Sequence, residues 1–185
     1  MALDNPLDTA GLVLLSGYYF PSARADVALA PWPAVPVLGD IMRYTVSPLV
    51  GWLMASAVYQ RLFAPSAVTA RFTARFPLGM TLRPSQIRAS AADTALMMPG
   101  AASLLGRHGE LKVPVVIMAG DGDKIFDIER QSQRLHSDIP QSDMRSVHGA
   151  GHMIHHLVPE RVAEAINAVT NTQAQLAGDS PAFRP

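Results

Sequence analysis

Short apolar runs set the pattern of this chain. Val113 to Ala119 is unbroken, rich in β-branched residues and only seven residues long, with Pro114 near its start and Gly120 just after its end. That length and composition predict a strand buried on both faces, as in a parallel sheet, rather than a helix. Gly11 to Ser16 (GLVLLS) is a second such strand, and Met144 to Val147 a third, shorter one. Between the last two strands Ile128 to Leu135 (IERQSQRL) predicts a helix. Asp127 stands at its start, where a short acceptor can bond free backbone N–H groups, and Pro140 closes the connection. A β-α-β crossover is right-handed and makes its strands parallel. Asp123 and His152, each just beyond a strand, therefore leave the same sheet edge, the edge where open α/β proteins place ligands.

From Gly17 to His108 the pattern changes. Prolines at 21, 31, 33, 36, 48, 65, 77, 84 and 99 divide the stretch into short helical pieces. Helices are predicted over Pro48 to Phe63 with Ser47 as cap, Ser66 to Phe76, and Pro84 to Met97. Met1 to Leu3 reads as a last helical turn stopped by Asn5-Pro6. Beyond His152, Val158 to Leu176 is a helix, with Pro159 and Glu160 in its first turn. Val162, Ala165, Ile166 and Val169 form its apolar stripe. Gly178 to Pro185 is expected to be a disordered tail.

Composition narrows the class. With 185 residues, 49% hydrophobic and 16% charged, the chain fits one globular domain with a sizeable core. Fifteen Lys+Arg balance fifteen Asp+Glu without a basic stripe, which argues against a nucleic-acid partner. The absence of cysteine removes disulfides and thiol nucleophiles. No signal-peptide pattern opens the chain, and the most apolar region, Val46 to Phe63, is interrupted by Pro48, Gly51, Gln60 and Arg61. A soluble protein without stable membrane insertion, cytoplasmic by default, is expected.

The candidate chemistry is an acid and an imidazole meeting at one rim, the arrangement of an oriented general base. Asp123 competes for the acid role with Asp121 and Asp127, which can equally be turn formers. His148, His155 and His156 crowd His152, but no carboxylate or cysteine joins them in a zinc pattern. No metal or cofactor is expected.

The residues AGDGDKIFD followed by VHGAGHMIHHLVPERV resemble the carboxyl-terminal third of the α/β-hydrolase superfamily. There the triad acid follows the penultimate strand in a G-x-x-D setting, and the triad histidine follows the last strand in G-x-G-H. The resemblance implies Asp123 as acid and His152 as base. It also implies a partial α/β-hydrolase fold of about three parallel strands with flanking helices and a helical cap insertion. The pattern A-L-D-N-P, then G-L-V-L-L, resembles the segment after the nucleophile helix. On that reading residues 1–20 are a remnant of the core sheet, 21–110 the cap, and 111–177 the carboxyl-terminal core, followed by the tail at 178–185. A set of ordinary crossover helices remains the alternative to a cap.

No G-x-S-x-G nucleophile elbow occurs in the sequence. Ser16 has Leu14 where the elbow needs glycine, and Ser103 and Ser146 have no turn around them. The implied activity is hydrolysis of an ester or related bond in an apolar small molecule by the complete enzyme, this stretch alone being inactive. Gly17, Tyr18, Tyr19 and Trp52 are candidate substrate contacts, and most of the Met and aromatic side chains of the cap are expected in the core. The expected partner is a complementing amino-terminal half or a second copy pairing through an exposed sheet edge. A non-catalytic binding module that keeps the family pocket is the competing function.

Overall fold

The computed structural model describes residues 2–22 and 32–178, with the last helix's side chains described to 172. Three parallel strands form one sheet in the order β1 (Leu12–Leu15), β2 (Val115–Gly120), β3 (Asp143–Val147). Leu12 pairs with Val115 and Val116 with Asp143, so the registers run in step. All six residues of β2 are buried, as a central strand covered on both faces requires. Its side chains alternate between two cores. Val115 and Ile117 join Phe20, Leu135 and Ile139 on one face, while Val116 and Met118 join Val147, Ile154, Ala165 and Val169 on the other. Ile117 and Met118 are wholly enclosed, each contributing roughly 1.5–3 kcal/mol of apolar burial.

The middle of the chain holds α1 (Leu38–Tyr44), α2 (Val46–Phe63), α3 (Ala70–Arg75), α4 (Leu78–Thr81) and α5 (Pro84–Ser103). The crossover from β2 to β3 is a π-helical turn, Glu129–Gln133, running into α6 (Arg134–Asp138). After β3 come α7 (Ile154–Leu157) and α8 (Pro159–Gly178).

Several boundaries differ from those predicted. The first strand is trimmed to Leu12–Leu15, the second starts at Val115, and the third starts at Asp143. Ser47 lies inside α2, whose N-cap is Thr45 without a side-chain bond. The helix start predicted at Ser66 moves to Ala70, because Thr69 Oγ1 accepts from the Phe72 N–H at 3.2 Å and so fixes the first turn there. Helix α5 continues past Pro99, an exposed position where water can take the carbonyl that proline leaves free. Ala2 to Asp4 is a turn, and Pro6 opens a short 3₁₀ helix instead of stopping a longer one. In α8, Ala165 and Val169 are buried but Ile166 is exposed, so the apolar stripe is narrower than expected. The expected tail lies, apart from Gly178, outside the described residues.

The expectation that the cap's large apolar side chains are mostly core is overturned. Phe63 and Phe72 are buried, but Trp32, Tyr44, Trp52, Met54 and Met98 are exposed. Helix α2 (VSPLVGWLMASAVYQRLF) is apolar on all sides, and a thin layer of helices covers only one side of it.

Candidate active site

Three turns at the carboxyl ends of the strands build the site. After β2, Gly120 closes the strand and Asp121, Gly122 and Asp123 turn away from it. The Asp123 N–H donates back to the Gly120 carbonyl at 3.3 Å. After β3, Gly149 takes φ +67°, a left-handed conformation that glycine accepts without strain. Two backbone bonds stitch these turns together. The Asp121 N–H donates to Val147 O at 3.2 Å and the Gly122 N–H to Ala150 O at 3.0 Å. The turns lie so close that a Cβ on Gly120 would run into the Ala150 carbonyl. The register between acid and base is thus set by main chain before either side chain is placed.

Asp123 and His152 meet as the sequence predicts. Asp123 Oδ2 lies 2.9 Å from His152 Nδ1, and Asp123 Oδ1 accepts the N–H groups of Ile125 at 2.7 Å and Phe126 at 3.2 Å. The Asp123 side chain is only 3% exposed, against 21% for His152. A carboxylate buried so deeply needs each oxygen bonded, and both are. With Nδ1 donating to the carboxylate, Nε2 carries the lone pair. An acid that orients an imidazole in this way makes it a general base toward a hydroxyl placed at Nε2.

Asp121 and Asp127, the competing acids, have other work. Asp121 Oδ2 pairs with His148 Nδ1 at 2.8 Å and its Oδ1 accepts the Gly149 N–H at 2.7 Å, in the open. The His148 bond first, and the Gly149 N–H next, hold the Asp121 carboxyl below its usual range. Asp127 accepts the Arg130 N–H at 2.9 Å and caps the crossover turn. Among the described residues no group of three or more His, Cys, Asp or Glu is arranged to hold a metal ion.

The expected substrate contacts separate into three places. Tyr18 stands beside the pair through a chain of rings. Its ring centroid is 5.4 Å from that of Phe126, which is in turn 5.2 Å from His152 at an edge-on 74°. Gly17 and Tyr19 are engaged with each other, the Gly17 N–H donating to Tyr19 Oη at 3.2 Å. Burial pushes the Tyr19 hydroxyl up to about 12, against the smaller opposing effect of the Gly17 N–H. Trp52 lines a cleft in the cap with Tyr59, Phe72 and Phe76, and none of the three strand-end turns contributes to that cleft. Ser16, at φ +43°, breaks β1 in the left-handed region, and its hydroxyl is buried without a partner among the described residues.

Three residues that hold the site are legible in the sequence only as parts of helices. Gln131 is buried, and its side-chain oxygen accepts the N–H groups of Tyr19 at 2.7 Å and Phe20 at 2.9 Å. Its amide donates to Phe20 O at 3.0 Å, so the crossover turn clamps the loop after β1. Ser66 Oγ donates to Gly149 O at 3.0 Å. Phe63, wholly buried at the end of α2, presents its carbonyl where a Cβ on Gly151 would sit. The stretch 63–66 thus seats the helices between β1 and β2 directly on the turn that carries His152. Partners more than eighty residues apart leave no local signal. The one hint was the glycine at 151, since a crowded backbone approach admits no side chain.

The fold recurs in known structures. An esterase from Thermogutta terrifontis aligns with 22% identity and TM-score 0.61 over 89% of this chain and 56% of that one. An α/β-hydrolase-fold protein from Burkholderia ambifaria aligns with 18% identity and TM-score 0.64 over 89% and 60%. This chain has part of the α/β-hydrolase fold. An enol-lactonase from Burkholderia xenovorans LB400 is a third likeness, at 16% identity and TM-score 0.56 over 92% of this chain and 59% of that one. The chain therefore spans between half and two thirds of these α/β-hydrolase-fold structures. No family model and no curated protein matches the sequence.

Proposed function

We propose that Asp123 and His152 are the acid and base of a hydrolytic triad whose nucleophile lies outside these 185 residues. The observation that carries this reading is the buried, fully bonded Asp123 holding His152 by Nδ1 at 2.9 Å at the carboxyl edge of a parallel sheet. In the complete enzyme a hydroxyl at Nε2 gives its proton to His152 as it attacks an ester or related carbonyl. The imidazolium, stabilised by Asp123, then returns the proton to the leaving alcohol. The substrate is an apolar small molecule. The edge of β1, unpaired among the described residues, is where a complementing segment, or a second copy, adds a strand.

Alone, this chain turns over no ester, because it has no G-x-S-x-G and so no hydroxyl on a strained elbow. The test is p-nitrophenyl butyrate hydrolysis by the purified chain, with and without a fused segment carrying H-G and G-x-S-x-G. The chain alone is expected at the rate of its His152→Ala variant. The fused protein is expected to be active, and His152→Ala in it to lose on the order of 10³-fold or more. Turnover by the isolated chain that depends on His152 would overturn the reading. Ligand binding with no turnover even in the fusion would favour the second one, a binding module that keeps the pocket without the chemistry.

A further inference from the structure

The cap carries a second recognition feature, away from Asp123 and His152. Arg71 and Arg75 sit one turn apart on α3, and neither has a hydrogen-bonded or ion-paired partner among the described residues. With His156 they line a cavity of about 210 Å³ whose remaining walls are Phe72, Phe76 and Pro77. The same two phenylalanines line the neighbouring cleft of about 460 Å³, together with Trp52, Tyr59, Val68 and Leu78. That volume lies within the range of roughly 300–1,000 Å³ usual for small-molecule sites. Phe72 and Phe76 stack with centroids 4.6 Å apart, and Tyr59 meets both edge-on at 5.1 and 5.3 Å. The apolar cleft and the cavity lined by the two exposed guanidinium groups thus adjoin through the shared Phe72 and Phe76.

Charge along the chain points the same way. Over the whole sequence acids and bases balance, yet between Val46 and Ser103 five arginines (61, 71, 75, 83 and 88) stand against one acid, Asp93. Guanidinium groups bind carboxylate and phosphate oxygens with directed N–H bonds, and an apolar floor strengthens such contacts by excluding water. His156, edge-on to Phe72 at 5.1 Å, connects this cavity to α7, four residues beyond His152.

From this geometry we infer that the cap binds an amphiphilic anion, its carboxylate or phosphate between Arg71, Arg75 and His156 and its apolar chain in the aromatic cleft. The substrate class is then an ester whose apolar part ends in an anionic group. That last step rests on the proposed hydrolase function; the binding does not.

Trp52 supplies the readout. In a Trp32→Phe background it is the only tryptophan and lines the cleft, so its fluorescence reports occupancy by octanoate, octyl phosphate or octanol in the full chain. Saturable binding of at least one anion is expected, roughly tenfold tighter than octanol at low salt and approaching octanol as salt screens the charge. The tighter anion identifies the head group. Arg71→Gln/Arg75→Gln, checked for fold by circular dichroism, should bring the anion down to octanol's affinity and leave octanol unchanged. Arg71→Lys/Arg75→Lys should keep most of the preference. Equal affinity for octanol and both anions, no binding of any, or an unchanged anion affinity in the Gln variant overturns the inference. His152→Ala should bind as the parent does. In the fused protein carrying H-G and G-x-S-x-G, an anion preference kept without any turnover fails the hydrolase reading alone, whereas His152-dependent turnover without an anion preference fails the anion site alone.

Discussion

At the scale of single residues, the site depends on polar side chains that bridge distant loops. Gln131 shows how much one such group can matter. Its amide makes three bonds to the Tyr19–Phe20 backbone inside the core. Those groups have no water to turn to when the amide is removed. Leaving buried backbone donors unpaired costs about 1–3 kcal/mol each, so Gln131→Ala should destabilise the chain by roughly 2–4 kcal/mol, read as a lower urea midpoint. Gln131→Glu keeps an oxygen to accept both N–H groups and loses the donor, and should lie between the parent and Gln131→Ala. A Gln131→Ala variant as stable as the parent would show that the loop is held by something else. Asp123 follows the same logic with a different outcome. Every bond it makes comes from its own turn or from the next one, which is why its partner could be read from spacing while Gln131's could not.

At the scale of elements, legibility followed the range of the interactions. The buried strands announce themselves by apolar runs closed with proline or glycine, and the acid and base by glycine-rich turns just beyond them. Parallel connection then puts both on one edge without further information. The helices between β1 and β2 are legible but not their packing, since α2 is apolar all round and its sequence does not say which face is covered. Helix α7 has no signal in the sequence pattern: its His155 and His156 form a short separate turn with ring centroids 4.4 Å apart, and His156 packs on Phe72. Partial burial first, then the neighbouring His156 and His152, pull the pKa of His155 below its usual 6.5. The folded chain therefore binds fewer protons there than the unfolded chain does. The stability from this group is present in full above about 6.5 and is lost as pH falls through the lower folded value. Chemical denaturation across pH 7.5 to 5 should show this loss, and His155→Gln should flatten the curve over that window. The lowered Asp121 acts only in the more acidic carboxylate range, so an unchanged slope in the His155 variant would sink the assignment.

For the whole molecule, the open question is the sheet's two edges, which are built differently. β3 carries Asp143 and Arg145, joined by an ion pair at 2.7 Å, and charge on an edge strand discourages further pairing. β1 is Leu-Val-Leu-Leu with no charge, and among the described residues its only strand neighbour is β2. Donors alternate along a strand. Leu12 and Ser16 give their N–H groups to Pro114 and Met118 at 2.8 Å each, so Val13 and Leu15 direct theirs to the open side. An apolar edge of this kind recruits another strand. The isolated chain should therefore self-associate as concentration rises, with sedimentation velocity showing species heavier than the 19.8 kDa monomer. Val13→Pro removes an N–H from the open side only and leaves the bonds to β2 intact, although it constrains φ and costs some stability. It should return the chain to monomer, whereas Leu14→Pro, which breaks a bond to β2, should unfold the strand. Association that persists unchanged in a folded Val13→Pro variant would place the contact elsewhere, with the exposed apolar side chains of α2, Trp52 and Leu53 among them, as the next surface to test.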